Sequence, residues 1–269
     1  MKRIHIVGSG PRTGTTLITE MMISCFNIDL HTKHEDSIYV IPQRDADICL
    51  TKNPRDILVI EPVLRILPDL YVIYMLRDPR DTIVSRHGKD PDKYWAGLSF
   101  WKTYSPFGQR LESHPRFISI KYEDLVTRPD AIQDYLISRM PFLSKHADFS
   151  SYDQHSSPSK DSLDALGGLR PVSSSSIGNW RQHLPRVAGQ LQLHGSITDD
   201  LIRYGYEQDG AWEKVLIGIQ PDLSASHWPE FFSSYTLWKR SINKYPLAVK
   251  VLLGHYWPTH LRPRQAAHK

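Results

Sequence analysis

Apolar and polar positions along this chain switch between two periods, and the switches mark its elements. Residues 4–7 open with Ile4, Ile6 and Val7, a short apolar run that predicts a buried strand. A turn of small residues follows (Gly8, Ser9, Gly10, Pro11, Gly14). From Thr15 onward Leu17, Ile18, Met21, Met22, Cys25 and Phe26 mark one face of a helix. Further apolar runs predict strands at DILVIEP (56–62), YVIYML (71–76) and FISIKY (117–122). Helical patterns are predicted over a short stretch ending near Pro68, from Asp81 to about His87, and from Asp130 to Met140. Another runs from the segment IGNWRQHLP (177–185) to about Tyr206. Residues 27–55 read as a polar, irregular, solvated loop holding His31, Lys33, His34, Glu35 and Asp36. Residues 144–179, with many Ser and Asp, Gly167–Gly168 and the run Ser173–Ser176, read as a surface loop or a lid ordered by ligand.

Strands alternating with helices predict an α/β fold, a parallel sheet flanked by helices on both faces. Ligands of such sheets bind outside the carboxyl ends of the strands, which in this reading carry Gly8–Gly14, Glu61, Arg77 and Tyr122. Beyond Gly210 the composition changes to a helical, aromatic-rich extension with Trp212, Trp228, Phe231, Phe232, Tyr235, Trp238, Tyr256 and Trp257. The expected organisation is a catalytic domain over 1–210 and a C-terminal extension, 211–269, packed on the same domain.

Composition narrows the function classes. The 269 residues are 40% hydrophobic and 23% charged, enough for a full core. A net charge of +4 gives no whole-protein argument for nucleic acid, so local basic groups must carry any anion binding. Two cysteines, Cys25 and Cys49, offer neither a disulfide framework nor zinc spacing, and the His/Asp spacings form no recognisable metal site. The chain enters its first strand at once, leaving no room for a signal peptide. It also has no apolar run near the roughly 20 residues of a membrane span, so a cytoplasmic location is expected.

The strongest chemical signal is IHIVGSGPRTGTTL (4–17). Strand, glycine-rich turn and helix N-terminus together make a cradle for phosphate: unpaired N–H groups converge there and the helix dipole adds positive charge. The Walker pattern is not met. Ser9 stands where its first glycine belongs and Thr15 where its lysine belongs, leaving Arg12 as the loop's cation. A second signal is YMLRDPRDTIVSRHG (74–88), where Arg77 ends a strand and Ser85 lies about two helical turns on; fork and hydroxyl can clamp one phosphate.

The order PRTGTTL resembles the 5′-phosphosulfate loop of sulfotransferases that use 3′-phosphoadenosine-5′-phosphosulfate (PAPS). Arginine in its basic position looks like the tyrosine-directed members and the bacterial enzymes similar to them. Arg77 and Ser85 match the family's 3′-phosphate motif, and KYEDLVTRP (121–129) is similar to the segment whose tyrosine, here Tyr122, contacts adenine. Ser176, Gly178, Trp180 and Arg181 look like the loop that closes over the nucleotide; the plain alternative places Trp180 in the core. The resemblance spans about residues 4–185 and implies a P-loop-like fold and sulfuryl transfer to a hydroxyl without a metal. Arg12 with the N–H groups of Thr13, Gly14, Thr15 and Thr16 would receive the leaving phosphate.

The resemblance also places a general base after the first helix. The Glu-Asp pair before Val40-Ile41-Pro42 is similar to that of the tyrosine-directed members, with one extra residue. This makes Glu35 the expected base, Asp36 the alternative, His34 the third and Glu61 the next. A nucleotide kinase and a non-catalytic nucleotide-binding module are the rival readings. By analogy with soluble bacterial forms, the expected acceptor is a carbohydrate or glycolipid. The expected partners include no nucleic acid. From Trp228 the positions Phe231, Phe232, Tyr235, Trp238 and Ile242 fall on one helical face beside Lys239, Arg240 and Lys244. They form either a membrane-surface helix or a helix packed on the domain.

Overall fold

The computed structural model describes residues 1–32, 34–41, 46–87 and 90–256. Lys33, Pro42, Gly88 and Trp257, which enter the sequence reading, lie outside the described residues. Its strands are β1 (Lys2–Gly8), β2 (Leu30–His31), β3 (Ile48–Lys52), β4 (Leu70–Leu76), β5 (Arg86–His87), β6 (Asp90–Tyr94) and β7 (Phe117–Lys121). Its α-helices are α1 (Thr15–Cys25), α2 (Ile60–Ile66), α3 (Pro79–Ile83), α4 (Ser99–Gln109), α5 (Tyr122–Thr127), α6 (Pro129–Arg139), α7 (Tyr152–His155), α8 (Lys160–Leu166), α9 (Leu184–His194), α10 (Thr198–Arg203) and α11 (Ser234–Tyr256).

Five strands form one sheet in the order β2-β3-β1-β4-β7, every pair parallel. Alternate residues feed two cores. Val7, Val72, Tyr74, Leu76 and Phe117 face one side, with α2, α4, α9 and part of α11. Ile4, Ile6, Ile73, Met75, Ile118 and Ile120 face the other, with α1 and α6. Each fully buried Ile or Leu contributes about 1.5–3 kcal/mol, so these two layers, rather than local propensity, hold the helices in place. The predicted α/β fold with helices on both faces is the fold observed.

Six local expectations are corrected. The predicted strand at 56–62 is a 3-10 turn, Pro54–Leu58, running into α2. Pro54 starts the turn with its fixed φ, and Asn53 Oδ1 caps it by accepting from the Arg55 N–H at 3.1 Å. The strand it displaces is β3, ICLTK, inside the stretch read as a polar loop. All five of its residues are buried, so it shows no alternation to betray it. Glu61 therefore sits in the first turn of α2, paired with Arg65 at 3.1 Å and Lys244 at 3.8 Å, and not at a strand end.

The helix expected to reach His87 stops at Ile83, and the chain turns into the β5–β6 hairpin. The stretch 144–179 is not uniformly loop, since it contains α7 and α8. The last helix begins at Ser234, not near Trp228. Phe232, expected on the same helical face as Tyr235 and Trp238, precedes the helix and packs edge-on against Phe100 at 4.8 Å.

Candidate active site

β1, β3, β4 and β7 end on one edge of the sheet, and the loops leaving them build the site. After β1 the chain makes the glycine turn. The Thr13 hydroxyl donates to the Gly10 carbonyl at 3.1 Å, and Arg12 holds a left-handed φ of 65°. Gly14 caps α1 at φ 86°, and a Cβ there would lie 2.6 Å from the Tyr122 ring, so only glycine satisfies both the backbone and the space. Gly14 has no side chain to cap the helix, which leaves first-turn N–H groups available to an anion.

Arg77, the residue after β4, is buried and ties two loops together. Its Nη1 donates to the Arg12 carbonyl at 2.9 Å and its Nη2 to the Ser176 carbonyl at 3.2 Å, while Nε is buried with no partner. The guanidinium lies 4.2 Å from the centre of the Tyr122 ring, whose hydroxyl meets Ser176 Oγ at 2.8 Å. Arg12, Gly14, Arg77, Tyr122 and Ser176, which come from four distant stretches of sequence, are thus brought into one cluster.

Asp81 holds the 176–181 segment against this cluster. Its carboxylate accepts from the Gly178 N–H at 2.8 Å and the Trp180 N–H at 2.9 Å, capping the 3-10 turn Asn179–Gln182. Burial raises its pKa, and those two N–H groups oppose the rise. Glu123, raised likewise by burial, accepts from the Asp78 N–H at 2.9 Å.

Three of the expected binding residues have other partners in this structure. Trp180 is buried, with the Arg80 guanidinium 4.2 Å from its ring centre and Trp212 edge-on at 6.0 Å, which is the core placement. Arg80 is itself fixed by Asp78 at 2.7 Å and Glu207 at 2.5 Å. Arg181 is exposed and also lies over the Trp180 ring, at 4.5 Å. Ser85 follows the end of α3 and donates to the Asp81 carbonyl at 3.3 Å. Its hydrogen bond and those of Arg77 do not meet on a shared atom.

Lys52, on the other flank of the α1 N-terminus, went unread in the sequence. Lys52, the last residue of β3, is only 1% exposed, and its ammonium donates to Thr16 Oγ1 at 3.1 Å at the start of α1. Glu35 Oε1 lies 4.0 Å from the same ammonium. Burial lowers the Lys52 pKa, opposed by the charge of Glu35 and then of Glu20. The available signal was a lysine closing an apolar run just before Asn53-Pro54, hidden because that run was assigned to a loop.

Main-chain bonds to β3, with one side-chain bond from Arg3 on β1, hold the segment that carries Glu35. Thr32 N–H donates to the Leu50 carbonyl at 3.1 Å, Asp36 N–H to the Lys52 carbonyl at 3.0 Å, and Arg3 Nη2 to the Val40 carbonyl at 3.0 Å. Buried Asp56 adds a latch, accepting from the Ile38 N–H at 2.5 Å. Its other neighbour is His5 Nε2 at 3.3 Å, and His5 Nδ1 meets Thr51 Oγ1 at 2.7 Å. Burial holds the His5 pKa below its ordinary value, against the pull of Asp56. The Glu35 side chain is 38% exposed, while Asp36 lies in the field of Arg3 and His5. His34 Nδ1 is buried without a partner.

Asp56→Ala is expected to lower folding stability by about 1–3 kcal/mol, because the Ile38 N–H is left buried without an acceptor. Amide exchange at residues 36–40 should accelerate beyond the global change. Unchanged exchange there would show that Asp56 serves the core and not the loop.

Residues 30–140 match the model of the sulfotransferase family. The match covers 111 of the 269 residues and marks that stretch as similar to sulfotransferases. The matched stretch contains Glu35, Lys52, Arg77, Ser85 and Tyr122; the phosphate cradle and the 176–181 segment lie outside it. No curated protein matches the chain. Among solved structures, the sulfotransferase domain from the curacin biosynthetic pathway is similar over 67% of this chain and 91% of its own. Identity is 14% and the TM-score 0.47.

Proposed function

We propose that this protein is a sulfotransferase that moves a sulfuryl group from PAPS to an acceptor hydroxyl, of a carbohydrate or glycolipid. The observation that carries the reading is that the N-terminus of α1 is flanked on both sides. Arg12, Arg77, Tyr122 and Ser176 cluster at Gly14, while Lys52 reaches Thr16 with Glu35 beside it. An activated donor supplies a sulfuryl group whose S–O bond to phosphate breaks as the acceptor oxygen attacks.

The chain's own groups suit that chemistry. Arg77 Nε, buried and unpartnered, is a donor of the kind a 3′-phosphate satisfies. First-turn N–H groups and the Lys52 ammonium offer positive charge where the leaving phosphate develops negative charge, and Arg12, whose Nη1 donates to the Ala165 carbonyl at 3.2 Å in this structure, would turn to the phosphate from the same loop. Glu35, the half-exposed carboxylate beside them, takes the proton of the acceptor hydroxyl. The choice of acceptor rests on the resemblance to soluble bacterial sulfotransferases.

Titration calorimetry without magnesium tests the donor. Adenosine 3′,5′-bisphosphate is expected to bind far more tightly than AMP. Because a hydrogen bond to a charged group contributes about 1.5–3 kcal/mol, Arg77→Ala should weaken the bisphosphate by roughly tenfold or more. AMP should lose less, since it lacks the 3′-phosphate, and that difference separates phosphate recognition from a general loosening of the Arg12 and Ser176 loops. Equal affinity for the two nucleotides, or binding of magnesium-ATP alone, would favour a kinase or another nucleotide-binding protein.

A further inference from the structure

Helix α11 has two unlike faces. Ala248 and Val251 are buried against the domain, and Lys244 reaches Glu61 on α2 at 3.8 Å. The opposite side carries Tyr235, Trp238, Ile242, Tyr245, Val249 and Leu253 at spacings of three and four residues, each of them more than half exposed. At the rise of an α-helix this stripe is about 27 Å long. The exposed lysines Lys239 and Lys250 stand along one margin of it.

Charge is distributed just as unevenly. Residues 231–269 hold seven Lys and Arg and no Asp or Glu, whereas the first 230 residues hold 26 basic and 29 acidic side chains. The chain thus concentrates its excess positive charge on the segment that presents the apolar stripe. Among the described residues no helix is long and apolar enough to cross a membrane. A second copy of this face would satisfy the apolar stripe only by bringing two wholly basic segments together.

We propose that this face of α11 docks on the surface of an anionic lipid bilayer. The tyrosines, tryptophan and aliphatic side chains enter the headgroup region, and the flanking lysines meet lipid phosphates. Tyr and Trp suit that depth because each joins an apolar ring to a polar tip. This inference does not depend on the donor or the acceptor of the transfer reaction.

Flotation of the full chain with vesicles decides it. The protein is expected to float with phosphatidylcholine vesicles containing phosphatidylglycerol, to float much less with phosphatidylcholine alone, and to be released as salt is raised. Trp238→Asp combined with Tyr245→Asp, and separately Lys239→Glu combined with Lys250→Glu, should each reduce the bound fraction by on the order of tenfold. These positions are exposed, so thermal unfolding and bisphosphate binding should be unchanged in both variants. The proposal is overturned by absence of flotation with anionic vesicles, by equal binding to neutral ones, or by folded variants that float like the parent. A dimer in sedimentation velocity that Trp238→Asp splits, with no vesicle binding, would assign the face to self-association instead.

Discussion

Glu35→Gln is expected to lower turnover by about 10²–10⁴-fold, the range for loss of a positioned general base, with bisphosphate affinity nearly unchanged. The amide keeps the size of the side chain and removes the proton acceptor, so the loss should shrink with nitrophenol acceptors, whose hydroxyl is already acidic. Glu35 is the candidate because its carboxylate is accessible and stands 4.0 Å from Lys52 at the start of α1. Asp36 follows it on the same pinned segment but lies in the field of Arg3 and His5. Glu61 is paired with Arg65 and Lys244 on α2, which removes it from the succession. Full activity in Glu35→Gln with loss in Asp36→Asn or His34→Ala would keep the loop and change the residue. Full activity in all three would place the base elsewhere.

Lys52→Met should cost about 10²–10³-fold in turnover, the scale for removing one preorganised donor from a developing oxyanion. Arg12→Ala should cost about a hundredfold on the same reasoning and should do so with every acceptor. Lys52 adds a pH signature. Its burial lowers the ammonium pKa from the ordinary 10.5, so the charged donor is lost as pH rises through that lowered value. The kcat/KM profile of the parent should therefore fall on its alkaline side, since kcat/KM reports the free enzyme. Lys52→Arg, which stays protonated, should move that limb upward. A profile with the same alkaline limb in Lys52→Arg would assign the titration to another group. Thermal unfolding of Lys52→Met separates lost chemistry from lost packing, because the methionine fills the buried channel of the lysine stem.

The two strands β4 and β7, the helix α1 and the glycine turn were legible because each is dictated locally. Apolar runs, a change of period and a position that only glycine satisfies leave marks in adjacent residues. The parallel α/β class followed from their alternation. Arg77 and Tyr122 stood out for a related reason: each directly follows a strand, and a charge or aromatic at the end of an apolar run is conspicuous.

Tertiary structure decided the rest. β3 is buried on both faces, so it carries no alternation, and its neighbour 56–62 shows the same short apolar run although a proline and an asparagine cap turn it into helix. Lys52 became visible only once β3 was placed beside β1, because the 3.1 Å approach to Thr16 spans 36 positions of sequence. The placement of Trp180 had to wait as well: a tryptophan that stacks on Arg80 inside the core and one that stacks on a base have the same neighbours in sequence. Periodicity along a chain reports which side of an element is apolar. Which charged groups converge on one point is set by how the elements pack.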